Sequence, residues 1–256
     1  MSQVGAVNPR YATLNTDYAA EMSSMSDEED GPIWMVNLMK YREIADYGDS
    51  RESNISGQEA DDLYAPMAVL ADIGAEIVFA GNVETQLLGD SPKWDRIAVV
   101  KYPTRRSFLK MSSRKDFQEK HVHKEAGMQT TIVMGCTPMD TPVYSKKDWT
   151  EIANSPSESD GVITVVHVLQ LNEQIEKMNN YSLIAGERAI PNGVRVDGWF
   201  QVENTILGDG RKWDQVRFNT FPSRRAFKEV LNDPARIEAQ KKYLSLIHIS
   251  EPTRPY

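Results

Sequence analysis

The sequence predicts an α+β fold made from two copies of one unit, and two observations lead to this prediction. Aligned without a gap, residues 74–108 and 193–227 are identical at 13 of 35 positions, which indicates an internal duplication. In each copy, short apolar runs of strand length alternate with stretches that repeat apolar residues at helical spacing. We therefore expect two small mixed units in tandem.

The elements of the first copy follow from local signals. Ser56 and Glu59 form a capping box that begins a helix, and Pro66 should kink that helix. Thr104 is placed to cap a later helix, and a further helical stretch runs from Asp116 to Gly127. The predicted strands of this copy are residues 33–39, 75–88, 94–102 and 131–136.

This βαββαβ order is the split βαβ, or ferredoxin-like, unit. Its antiparallel sheet carries helices on one face, and a second copy would cover the other face. The predicted organisation is an acidic flexible arm (1–31), a first unit (32–137), a linker (138–160), a second unit (161–243) and a tail (244–256).

The tail needs separate treatment because residues 244–254 resemble the in-frame translation of a transposon-type sequencing adapter. The resemblance implies that the natural sequence stops near Tyr243. The counterpart of the first unit's last strand would begin near position 249, so we expect the second unit to lack its native closing strand.

Composition excludes several classes of function. The 256 residues are 40% hydrophobic and 26% charged, and 29 basic against 37 acidic residues give a net charge of −8. This charge disfavours binding to nucleic acid or to an anionic membrane. The longest apolar run, residues 162–169, is too short to span a membrane, and residues 1–20 lack the apolar block of a signal peptide. We expect a cytoplasmic protein. Cys136 is the single cysteine, so the sequence predicts neither an internal disulfide nor a cysteine metal cluster.

A family resemblance rests on an ordered set of motifs: residues 35–42 (MVNLMKYR), 56–60 (SGQEA), 94–95 (WD), 102–108 (YPTRRSF) and 116–124 (DFQEKHVHK). Together they resemble the domain-of-unknown-function family thirteen-thirty of the dimeric α+β barrel superfamily. The resemblance implies two sheets packed face to face as a barrel, here within one chain. It also implies kinship with cofactor-independent monooxygenases, isomerases, lyases and haem proteins, and it includes Lys40 among the candidate substrate-binding residues.

Strand periodicity identifies one candidate pair of polar residues. Asn37 shares a strand face with Ile33, Met35 and Met39, and His167 occupies the same place in the second copy. Both side chains either point into the barrel cavity and meet a ligand, or are buried polar groups that neighbouring backbone satisfies.

The predicted helix at residues 116–127 carries the other candidates. His121 lies on the arc of Phe117 and Lys124, whereas His123 lies far round the helix, so the two histidines cannot form a metal pair. We expect His123 to transfer protons, with His121 as the second catalytic candidate, and Lys124 to hold an anionic group. The alternative is a solvated surface helix. The second copy has Gln240 and Tyr243 at the positions of His121 and Lys124, so any chemistry here occurs once per chain.

Arg96 and Arg217 complete the predicted site, since either would bind a carboxylate unless its strand face is simply exposed. The sequence thus favours a protein that binds a small organic molecule in the barrel, either as a binding protein or as a cofactor-independent enzyme of the isomerase, lyase or monooxygenase type. The alternative is a non-catalytic structural or stress-response interaction module. No cofactor and no metal are expected, and the chain would be a monomer with an internal pseudo-dimer, or a homodimer.

Overall fold

The computed structural model describes residues 9–48, 52–89, 91–141 and 146–244. The chain divides into two compact units. Among the described residues, unit 1 comprises those within 9–137 and 203–212, and unit 2 comprises those within 138–202 and 213–244. Unit 1 therefore contains the whole first copy, and unit 2 contains most of the second.

The structure assigns eight strands and eight α-helices to the described residues. The strands are β1 (Thr13–Leu14), β2 (Ile33–Tyr41), β3 (Glu76–Asn82), β4 (Arg96–Tyr102), β5 (Met128–Pro138), β6 (Ile163–Leu169), β7 (Arg195–Gly208) and β8 (Gln215–Phe221). The helices are α1 (Thr16–Ser24), α2 (Gly57–Tyr64), α3 (Met67–Asp72), α4 (Arg105–Ser112), α5 (Lys115–Gly127), α6 (Ile175–Ala189), α7 (Arg224–Asn232) and α8 (Pro234–Leu244). None of them is long and apolar enough to cross a membrane.

Unit 1 contains an antiparallel sheet in the order β3-β4-β2-β5. Helices α2 and α3 connect β2 to β3, and α4 and α5 connect β4 to β5. This is the ferredoxin-like order that the sequence predicts. The capping box at Ser56 begins α2, and Pro66 separates α2 from α3. The run predicted for residues 75–88 ends early, at Asn82. Its counterpart β7 continues to Gly208, because Leu207 and Gly208 pair with β1.

Unit 2 repeats this arrangement with β6, β8 and the first part of β7, in the order β7-β8-β6. Helix α6 takes the place of α2 and α3, and α7 and α8 follow β8. The predicted α+β class with two ferredoxin-like units is confirmed. The position expected for a closing strand, near residue 249, lies outside the described residues.

In each unit the strand face that carries the candidate polar pair packs against that unit's own helices. Ile33 and Met35 belong to a buried cluster with Leu70, Met111 and Phe117. In unit 2, the cluster of Ile163 and Val165 includes Ala189, Val230 and Phe227. Asn37 and His167 therefore face the helix layer of their own unit, and not the opposite side of the sheet as the barrel-cavity hypothesis requires.

The N-terminal segment is packed where the structure describes it, which differs from the loosely held arm that its acidic composition suggests. Tyr18 and Met22 of α1 are fully buried in the core of unit 1. The Tyr18 hydroxyl donates to Glu203, which also pairs with Arg105. The apolar spacing of α1 outweighs the charge of the residues around it.

Two carboxylates hold equivalent places in the two copies. Asp95 accepts hydrogen bonds from the Tyr41 backbone N–H at 2.8 Å and from the Lys40 ammonium at 2.9 Å. Asp214, its counterpart, accepts from the Leu171 backbone N–H just beyond β6. The equivalent carboxylates thus stabilise the ends of β2 and β6, because each accepts a hydrogen bond from a backbone N–H group at or just beyond the end of the strand.

Helices α2 and α5 approach each other through glycine and alanine. A Cβ atom added at Gly57 would lie 2.3 Å from the Gly127 carbonyl oxygen, and one added at Gly127 would lie 2.3 Å from the Gly57 oxygen. The same approach lets the Arg42 N–H donate to Gly127 and its carbonyl accept from Gly57. Only residues without a Cβ fit this crossing.

Replacement of Gly127 by alanine tests this constraint. Since the new methyl group meets backbone atoms, we expect Gly127→Ala to lower the free energy of unfolding by about 1–3 kcal/mol or more. Chemical denaturation measures the change. Gly31→Ala is the matched control, because nothing lies within 4 Å of its added Cβ. Equal effects of the two substitutions would show that the α2–α5 crossing is not tightly packed.

Candidate functional site

His121 lies on the face of α5 that packs against α2. Its Nε2 atom is 2.9 Å from the hydroxyl of Tyr11. The Phe117 ring stacks on the imidazole with centroids 5.6 Å apart, and the Tyr64 ring meets it edge-on at 6.1 Å. Because these aromatic rings exclude water, burial lowers the pKa of His121, and the nearby charge of Lys124 lowers it further. The imidazole is therefore neutral at pH 7.

Lys124 follows His121 by nearly one helical turn and enters the same aromatic surroundings. Its Nζ atom lies 5.1 Å from the centroid of the Tyr64 ring. Burial lowers the pKa of Lys124, and Asp61 offsets part of this effect. Within the described residues the ammonium has no hydrogen-bond acceptor and no ion-pair partner. A cation of this kind is available to an anionic group on a ligand.

Asp61 on α2 is the carboxylate that acts on Lys124, whereas Glu125 acts on His121. The Tyr41 hydroxyl donates to its Oδ2 atom at 2.7 Å, and an Arg96 nitrogen lies 3.5 Å from the same oxygen. Arg96 also pairs with the exposed Asp62 at 2.8 Å. Arg96, the predicted carboxylate-binding residue, thus pairs with two acidic side chains of the protein, Asp62 and Asp61.

Asn37 lies on the sheet beneath this layer. Its side-chain amide donates to the Met35 carbonyl at 2.9 Å. For Asn37, this bond agrees with the alternative that neighbouring backbone satisfies the polar group. Asn37 and its cross-strand neighbour Ala98 nevertheless keep accessible surface on the helix-facing side. Ala98 packs against the cluster that contains Tyr11 and Met39.

His123 and Lys40 lie apart from this group. His123 Nδ1 is 2.8 Å from the Tyr47 hydroxyl, and the two rings meet edge-on. Lys40 pairs with Asp95 and lines an open cleft of about 530 Å³ on unit 1. The other residues of that cleft include Arg42, Ser56, Gln58, Asn82 and Gln129.

The last two candidates, His167 and Arg217, lie in unit 2 as directly opposed residues of β6 and β8. The structure therefore brings His121 and Lys124 together in unit 1, near Asp61 and its neighbour Arg96, and brings His167 and Arg217 together in unit 2. Asn37 faces the same helix layer, with the Met35 carbonyl as its hydrogen-bond partner. The functional roles predicted for all of these residues remain proposals. Among the described residues there is no group of three or more His, Cys, Asp or Glu side chains that would hold a metal ion.

The sequence analysis missed four contributors to the unit 1 group: Tyr11, Tyr41, Asp61 and Tyr64. Asp61 and Tyr64 are three residues apart on α2, a spacing that places both on one helix face, so they were open to detection. Tyr11 offered no local signal, since it precedes α1 in a segment without strong periodicity.

Comparison with known proteins supports the fold and leaves the family open. No protein-family model matches the chain, and no curated protein is significantly similar to it. An anthrone oxidase-like protein is 12% identical, with a TM-score of 0.50, over 89% of this chain and 90% of the other. A protein of unknown function from Rhodopseudomonas palustris is 24% identical, with a TM-score of 0.45, and covers 53% of this chain and 100% of its own. A mutant chlorite dismutase from Candidatus Nitrospira defluvii is 11% identical, with a TM-score of 0.44, over 86% of this chain and 85% of its own. The first of these likenesses supports the dimeric α+β barrel fold class.

The contact between Lys124 and His121 predicts a pH effect. Because the pKa of His121 is lowered in the folded protein, the unfolded chain takes up the proton first as the pH falls. Stability is therefore lost as the pH decreases through the ordinary histidine value of about 6.5. We expect Lys124→Met to raise the pKa of His121, as measured by NMR titration of the ring. Lys115→Met, which removes an exposed lysine of the same helix, should leave that pKa unchanged. Equal shifts in both variants would contradict the assigned geometry.

Proposed function

We propose that this chain binds a small organic molecule in the helix–sheet layer of unit 1 and catalyses proton transfer on it without a cofactor. The observation that carries the proposal is an ammonium group, Lys124, that has no partner among the described residues and lies beside a neutral imidazole. A neutral histidine is a proton acceptor, and a nearby cation stabilises the negative charge that proton removal creates.

Each residue of the group has a separate role in this proton transfer. His121 removes a proton from a carbon next to a carbonyl group, and Lys124 holds the oxygen on which the negative charge develops. Burial keeps Tyr11 protonated by raising its pKa, and its hydroxyl fixes the orientation of the His121 ring. Asn37 offers its amide oxygen from the sheet. Such a step belongs to isomerases and lyases, and formation of a carbanion also begins the reactions of cofactor-independent monooxygenases.

Proton transfer is assigned to His121 and not to His123 because only His121 shares its surroundings with Lys124. His123 bonds Tyr47 on another side of α5. Membership of family thirteen-thirty is part of this proposal, supported by the five motifs in order. The proton-transfer role, which the sequence assigned first to His123, is here given to His121.

A thermal-stability screen against small carbonyl compounds tests the binding step, since any compound that binds only the native state raises Tm. For a compound that binds, we expect Lys124→Met to weaken binding at least tenfold. We expect His121→Gln, which introduces the residue present at this place in the second copy, to slow exchange of the compound's α-protons for deuterium by about 10²–10⁴-fold.

The controls are Lys120→Met and His123→Gln, which alter the same helix outside the group. Both should bind the compound and exchange its protons as the unmodified protein does. If His123→Gln abolishes exchange and His121→Gln does not, the catalytic assignment is wrong. If no compound raises Tm, the binding function is wrong.

One observation favours association with a second copy of the chain, the alternative that the sequence leaves open. Strand β3 ends the described sheet on one side, and Ile77 and Val78 on it are exposed. We expect light scattering to show a dimer that Val78→Lys converts to a monomer. A monomer in the unmodified protein would exclude this alternative.

A further inference from the structure

The apolar core of unit 2 is divided into two parts by polar residues. Ile163 and Val165 pack with Phe221 in one buried cluster. Leu169, on the same strand face, packs with Leu171 in another. His167 lies between them on β6, and Arg217 lies opposite it on β8. Polar groups thus occupy the centre of the helix-facing layer, where a small domain ordinarily concentrates its apolar side chains.

Arg217 is buried without a carboxylate. Its side chain is 4% exposed, and its Nε and one Nη atom donate to the Gln215 amide oxygen at 3.0 and 2.6 Å. The other Nη donates to the Ser182 hydroxyl at 2.7 Å. The guanidinium stacks over the Trp199 ring, 4.1 Å from its centroid. All of these partners are neutral, and two of the five guanidinium N–H groups remain without an acceptor among the described residues.

The neighbours of Arg217 and His167 add positive charge, and no acidic side chain among the described residues pairs with it. Arg236 of α8 contributes to the electrostatic field at His167, and its own N–H groups donate to the Leu231 carbonyl and the Gln240 amide oxygen. Neither arginine forms an ion pair within the described part of the chain. A buried cation that lacks a counter-charge is costly, and proteins retain such groups where a ligand supplies the charge.

His167 connects this place to solvent. Its side chain is exposed and lies directly across from the buried guanidinium. Neighbouring protein atoms, followed by the charges of Arg217 and Arg236, lower the pKa of His167 below its ordinary value. The neutral ring offers one N–H donor to a ligand that approaches Arg217.

The first copy lacks these groups at the corresponding positions. Ala98 corresponds to Arg217, Phe117 corresponds to Arg236, and Asn37 corresponds to His167. The positive charge is therefore not a requirement of the ferredoxin-like unit, which folds in unit 1 without it. It is a property that belongs to the second copy alone.

We propose that unit 2 contains a binding site for a small organic carboxylate, held by the free N–H groups of Arg217 with His167 as a second donor. The planar guanidinium matches the two oxygens of a carboxylate. A single negative charge matches the single buried cation, and the apolar clusters on either side suit an attached apolar group. This site is separate from the proton-transfer site proposed for unit 1.

Benzoate is a suitable probe, and benzamide is its neutral control of nearly the same shape. We expect benzoate to bind the full chain in titration calorimetry and to raise Tm by about 2–4 °C near saturation, and benzamide to do neither. Arg217→Met should weaken benzoate binding at least tenfold. It should also raise Tm in the absence of benzoate, because it removes an uncompensated buried charge.

Arg225→Met is the matched control, since Arg225 is an exposed arginine of unit 2 that pairs with Asp160. It should bind benzoate as the unmodified chain does. Arg217→Lys keeps the charge but loses the planar guanidinium, so it should bind benzoate more weakly. If Arg217→Met fails to fold, Arg217→Lys is the variant that tests the role of the guanidinium. The proposal is overturned if benzoate does not bind, if benzamide binds as well, or if Arg217→Lys binds benzoate unchanged. Retained turnover in Arg217→Met would leave the unit 1 function standing, so the two proposals fail independently.

Discussion

The close approach of α2 and α5 is the constraint on which the unit 1 site depends. Where Gly57 and Gly127 meet, the two backbones are too close for any side chain. Ala60 and Ala126 continue the contact as part of a small buried cluster. Since the helices are fixed at this crossing, Tyr64 on α2 reaches both His121 and Lys124 on α5. A wider separation would admit water between these groups and would return the pKa of Lys124 towards its ordinary value.

The fold was accessible from the sequence because its signals are local and repeated. The capping box at Ser56, the break at Pro66 and the helix start after Thr104 each follow from one or two residues. Duplication strengthened every assignment, since a motif in one copy supported its counterpart in the other. The sequence did not predict that β3 ends early. The length of a strand depends on whether a partner strand is present, and β1 supplies such a partner to β7 and not to β3.

The site was only partly accessible because its members meet through packing. Strand periodicity placed Asn37 and His167 on the correct faces, and helical spacing placed His121 with Lys124. Periodicity does not say which side of a sheet the helices cover, so it did not indicate that Asn37 and His167 face the helices of their own unit. Tyr11 illustrates the other limit: it joins His121 across 110 residues of sequence, and no local pattern reports a contact of that range.

The two copies have preserved the interactions that build the unit and diverged in the layer between helices and sheet. Asp30 accepts from the Arg105 N–H at the start of α4, and Asp160 accepts from the Arg224 N–H at the start of α7. These carboxylates stabilise helix N-termini and serve the fold in both halves. In contrast, the unpartnered cation comes from a helix in unit 1, as Lys124, and from a strand in unit 2, as Arg217. If charge in this layer served stability, both copies would keep it at one position and pair it. Its different origin in each copy, and its lack of a counter-ion among the described residues in both, are what the fold leaves unexplained, and they are the common ground of the two ligand proposals.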